Sequence, residues 1–88
     1  MFQMWGKLIQ DNRLLNDHVA RCGDYSLSRT DMVLRCLEEL CYTFDLEKPI
    51  WLDANIREFQ RISKTRFTKD SFIESIDFDY LEIQVIEE

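Results

Sequence analysis

At 88 residues the chain supports one domain over 1–88, near the low end of the size at which a hydrophobic core suffices without disulfides or metals. Apolar residues at 45% and aromatics at 12%, with two glycines and one proline, supply enough core-forming area to argue against a disordered chain. A net charge of −6 works against nonspecific attraction to nucleic acid or an anionic membrane, and no run of 18 apolar residues is present to span a bilayer.

The first stretch, MFQMWGKLIQDNRLL, has a lone lysine, a short apolar run and no small-residue cleavage site, so it does not read as a signal peptide. Residues 2–9 and 13–22 are apolar-rich and separated by Gln10-Asp11-Asn12, which predicts a β-hairpin, with a helix over 13–22 as the alternative. Gly23-Asp24 ends either element. In SRTDMVLRCLEELCYTF, the residues Val33, Cys36, Leu37, Leu40, Cys41 and Phe44 recur at helical spacing and fall within an arc of ~140°, the width of a core face. Ser28 is the expected N-cap, with Asp31 at N3 and Leu27 and Met32 as a hydrophobic staple.

Ile50-Trp51-Leu52 after Pro49 reads as a brief strand. Asp53 is then the expected cap of a second helix over 54–63, with Ile56, Phe59 and Ile62 inward. Thr68 repeats the capping pattern for a third helix over 69–76, stapled by Phe67 and Phe72. The closing FDYLEIQVI alternates, with Leu81, Ile83 and Val85 on one face and Tyr80, Glu82 and Gln84 on the other, as a half-buried strand does; Phe78, Tyr80 and Ile86 share the outer face. Strands at both ends and helices between them predict an α+β domain in which the hairpin and the last strand form a sheet with two or three helices on one face. Several strand orders satisfy this pattern.

Chemistry-bearing motifs are sparse. His18 and Cys22 would share a helix face at zinc-ligand spacing, but two ligands do not make a site, and Cys36 and Cys41 sit at opposite edges of the core arc. Three cysteines at irregular spacing are not a secreted disulfide framework and suit a reducing cytoplasm. The single histidine lacks the flanks of a nucleophile motif, Asp77 and Asp79 read as solvent-facing carboxylates at a sheet end, and Gly6 and Gly23 belong to no phosphate-binding loop. The expectation is a protein without enzymatic activity, metal or cofactor.

Charge segregation stands above this background. Residues 57–69 carry Arg57, Arg61, Lys64, Arg66 and Lys69 against Glu58, whereas residues 70–88 carry seven carboxylates and no cation. A helix extended by one residue would align Arg57, Arg61 and Lys64 within ~60°. Either a charged partner or the acidic C-terminal segment then offsets their mutual repulsion. The expected binding residues are Arg57, Arg61, Lys64 and Arg66, with Tyr80 and Glu82 on the outer face of the last strand. The expected partner is another protein, a second copy of the chain being one candidate. Alternatives are an acidic mimic of nucleic acid that inhibits a nucleic-acid-binding protein, a nucleic-acid binder using 57–69, and an enzyme using His18 and Cys22.

The stretches MFQMWGKLIQDN, KPIWLDA, KTRF and IDFDYLEIQVIEE resemble a group of short, uncharacterised bacterial proteins. That resemblance covers most of the chain and implies a bacterial cytoplasmic origin, with no catalytic motif or ligand.

Overall fold

The computed structural model describes residues 1–88 as a four-stranded antiparallel sheet with two α-helices on one face. In chain order the elements are β1 (Phe2–Gln10), β2 (Arg13–Cys22), α1 (Arg29–Thr43), α2 (Asp53–Ile62), β3 (Lys64–Phe67) and β4 (Tyr80–Glu87), and the strand order is β2-β1-β4-β3. The α+β architecture is the one expected.

The hairpin forms where Asp11 and Asn12 both adopt positive φ, 52° and 63°, the left-handed pair that lets a two-residue turn follow the strand twist. Asp79 braces it, since Asp11 N donates to Asp79 Oδ2 at 2.8 Å and Asp79 N donates to Ile9 O at 2.9 Å. Asp79 thus holds the hairpin turn to the start of β4.

Helix α1 follows its sequence closely. Asp31 N donates to Ser28 Oγ, and Val33, Cys36, Leu37, Leu40, Cys41 and Phe44 are all buried. The helix ends in a Schellman arrangement: Asp45 takes φ of 57°, Leu46 N donates to Cys41 O, and Asp45 N donates to Tyr42 O. The core lies between α1 and the inward residues Phe2, Met4, Ala20, Cys22, Leu81 and Ile83. Gly6 lets α1 approach the centre of the sheet, because a Cβ there would stand 2.8 Å from both Leu40 methyl carbons.

The second half departs from expectation in five places. Residues 50–52 pair with no strand; instead Trp51 inserts edge-on between Phe59 and Phe67, at 5.4 and 5.0 Å between ring centroids. Helix α2 starts one residue early, with Leu52 at the N-cap, and its buried face is Asn55 and Phe59, while Ile56 and Ile62 are exposed. Asn55 turns inward because its amide bonds are all satisfied there: Leu52 N donates to Oδ1, and Nδ2 donates to Thr65 Oγ1 and Arg66 O. The helix stops at Ser63, left-handed at φ 55°, so Lys64 opens strand β3 and does not continue the helix. The expected third helix is a single 3-10 turn, Lys69–Ser71, with Asp70 N donating to Thr68 Oγ1. Phe72 meets Phe78 edge to face, and Phe78 packs against the core and so leaves the outer face.

Candidate functional site

Both helices pack on the same face of the sheet, so the opposite face is open. Strand alternation decides what it displays: Phe2, Met4 and Gly6 of β1 point to the core, and Gln3, Trp5 and Lys7 point out. On β4 the outward residues are Tyr80, Glu82 and Gln84, and on β3 they are Lys64 and Arg66.

Cross-strand register brings four charges into one row. Arg66 lies opposite Glu82, Glu82 opposite Lys7, and Lys7 opposite Asp17. Glu82 receives a cation on each carboxylate oxygen, Lys7 Nζ at 2.8 Å from Oε2 and Arg66 Nε at 3.0 Å from Oε1. Although it lies on the open face, its side chain is only 7% exposed, because the two neighbouring cations and their aromatic supports cover it. Burial raises its carboxyl group, and the hydrogen bonds from Lys7 and Arg66 outweigh that effect, holding the group below its ordinary range.

Each cation also lies over a ring. Lys7 Nζ stands 4.0 Å from the Trp5 centroid, and Arg66 Cζ stands 4.6 Å from that of Tyr80. Trp5 Nε1 donates to Asp17 Oδ2 at 2.9 Å, which fixes the indole in its plane. The result is a rigid patch of two aromatic rings, two cations and two carboxylates with no net charge. Such a patch can present arginine, tryptophan and tyrosine to a partner with little loss of side-chain freedom.

The expected binding residues divide between two layers. Lys64, Arg66, Tyr80 and Glu82 share the open face, whereas Arg57 and Arg61 sit exposed on α2 in the helical layer. The turn at Ser63 breaks the supposed stripe, so Lys64 is not aligned with Arg57 and Arg61. Neither arginine of α2 has a carboxylate partner; Arg57 Nε reaches only Asp53 O, at 3.4 Å. Trp5, Lys7 and Asp17 went unread in the sequence, yet the two-residue period of a strand over FQMWGKLI places Trp5 and Lys7 together on one face, opposite Phe2, Met4 and Leu8.

No protein-family model matches the chain, and no curated protein or solved structure is similar enough to count as a match.

The residues with nucleophilic or metal-binding chemistry are dispersed. His18 and Cys22 lie on β2, where four residues span about 13 Å. His18 Nε2 donates to Glu39 Oε2 at 2.7 Å, and Cys22 is buried. Burial pushes the thiols of Cys36 and Cys41 up to about 11, so both are protonated at neutral pH, the form that is a poor nucleophile. No three His, Cys, Asp or Glu side chains stand together as a metal set, and no helix is long and apolar enough to cross a membrane. An apolar cleft of about 330 Å³ between α1 and α2 is lined by Val33, Leu34, Trp51, Ile56 and Phe59.

Proposed function

We propose that this protein is a non-catalytic interaction module that docks another protein on the open face of its sheet, through Trp5, Arg66 and Tyr80. The observation that carries this reading is the cation over each ring. Lys7 and Arg66 cover ring faces that base stacking would need, and Glu82 pairs with both cations while Asp17 completes the charge balance of the patch, which disfavours a phosphate backbone. Arginine, tryptophan and tyrosine held on a rigid support are instead the composition of protein-binding hot spots. Three unpaired thiols support a cytoplasmic setting for this activity.

The test compares two folded variants in affinity capture from the native host, followed by titration with the purified partner. Arg66→Ala with Tyr80→Ala alters the open face, and Arg57→Glu with Arg61→Glu alters the helical layer. Wild type and the helical-layer variant are expected to bind the partner equally, with the open-face variant weaker by about 30-fold or more. Equal binding by all three, or capture that disappears on nuclease treatment, overturns the reading.

A further inference from the structure

We propose that the free edge of β2 is a homodimerisation surface, on which residues 16–22 of two copies pair antiparallel about a two-fold axis at Val19. The product is one eight-stranded sheet.

The two edges of the sheet are unequal. The β3 edge is four residues long, a length that offers little template for pairing. The β2 edge runs for ten residues, RLLNDHVARC, with no proline or lysine to block a further strand. A bulge at Leu15, where Leu8 pairs with Asn16 and Ile9 with Leu14, disrupts only its first part.

The charge row on the open face selects the partner. Read across the sheet it runs Arg66, Glu82, Lys7, Asp17, alternating in sign at every strand, and it stops at Asp17 because β2 is the last strand. The next position in the row calls for a cation. Arg21 lies on the same face of β2, is exposed, and forms no ion pair within its own chain. A two-fold axis at Val19 sets Asp17 of each copy opposite Arg21 of the other, so each row gains the cation that follows Asp17, beyond which lie Gln3 and Glu87 of the second copy. The same axis sets the two Val19 side chains opposite each other, and since Val19 pairs with Trp5 in each chain, an apolar row crosses the junction.

Other registers lack this match. An axis at Asp17 would oppose Asp17 to itself and Arg13 to Arg21. An axis at Leu15 would oppose Arg13 to Asp17, but the bulge places those two side chains on different faces of the strand. The self-complementary register at Val19 is the isologous kind that closes as a dimer. Its axis is perpendicular to the sheet, so both helical layers fall on one side and both open faces on the other. The inference does not depend on the open face having a partner.

The test is sedimentation of the full chain over a concentration series. Wild type is expected to dimerise, and Asp17→Arg and Arg21→Asp are each expected to weaken the dimer by about tenfold or more, since each opposes like charges twice. Mixing the two variants restores opposite charges at both positions, so a one-to-one heterodimer is expected at close to wild-type affinity. A merely structural role for either residue would give no such rescue. Hydrogen exchange of the wild-type chain is a second readout that needs no substitution, and protection at 16–22 is expected to rise with concentration. Wild type monomeric at every concentration, as when a different protein fills the edge, overturns the proposal. So does a dimer indifferent to both charge changes, or concentration-dependent protection confined to other strands.

Discussion

Glu82 is the residue whose loss the open face tolerates least. Its carboxylate is nearly covered and holds two cations, one of which, Lys7, is itself mostly buried at 18% exposed. Glu82→Gln removes the ion pair of the mostly buried Lys7 and leaves only Asp17, already bonded to Trp5, as its neighbouring carboxylate, while Arg66, 57% exposed, can turn to water. The expected cost is about 2 kcal/mol at neutral pH, below the range for a fully buried pair because one of the three groups stays solvated. The pH dependence follows from the sign of the shift. The folded carboxyl lies below its ordinary value of 4.5, so its contribution is fully present above that value and is lost as pH falls through the lowered folded value. Urea midpoints of wild type and Glu82→Gln, measured down the acid limb, should therefore differ most near neutrality and converge in acid. A gap that persists unchanged in acid would assign the loss to packing and not to charge.

Among the elements, the contact between β1 and α1 sets the spacing of the two layers. Gly6 faces the fully buried Leu40, whose side chain must shift to admit a Cβ, so Gly6→Ala is expected to cost about 1–3 kcal/mol by overpacking. Shortening the opposing side chain with Leu40→Ala should make the double variant less destabilised than the sum of the single ones, and denaturation of all four proteins measures that coupling. Additive losses would mean that β1 moves as a body. The elements that could be read from the sequence are those whose pattern is local: Asp11-Asn12 closes a hairpin between adjacent strands, and α1 carries its cap, its stripe and its stop within a single stretch. The rest was hidden for equally physical reasons. Strand β3 has only four residues, two of them cations, and follows a helix with no glycine at the junction, so Lys64 reads as one more residue of helix until Ser63 is seen to be left-handed. Trp51 sits in an apolar run that resembles a strand, but its ring is claimed by Phe59 of α2 and Phe67 of β3, contacts that only the tertiary fold makes. Half of the open-face patch, Arg66, Tyr80 and Glu82, was legible from composition and alternation. Lys7 and Asp17 joined it only once β1 was known to lie between β2 and β4.

Over the whole molecule, four of the seven carboxylates of residues 70–88 are spread over separate tasks. Glu82 pairs with both Lys7 and Arg66, Asp79 braces the hairpin turn, Glu87 meets the amino group of Met1, and Glu88 meets Arg29. Two mechanisms were open for the basic segment, an external partner or the chain's own acidic end, and the geometry divides it between them. Arg66 is matched internally by Glu82, and Arg57 and Arg61 have no carboxylate partner within the chain. Reversing the α2 pair, Arg57→Glu with Arg61→Glu, is therefore expected to change stability by less than about 1 kcal/mol, most of it from placing a carboxylate in the last turn of α2. Reversing Arg66 alone should cost more, because it sets two carboxylates side by side over a half-buried lysine. Urea denaturation of the two variants decides between these assignments. Loss of the fold in the α2 variant would mean that the acidic segment reaches α2 in solution. Retention, alongside a destabilised Arg66→Glu, would leave Arg57 and Arg61 as exposed cations on an acidic protein, free to set the rate of encounter with a charged partner without contributing to the fold.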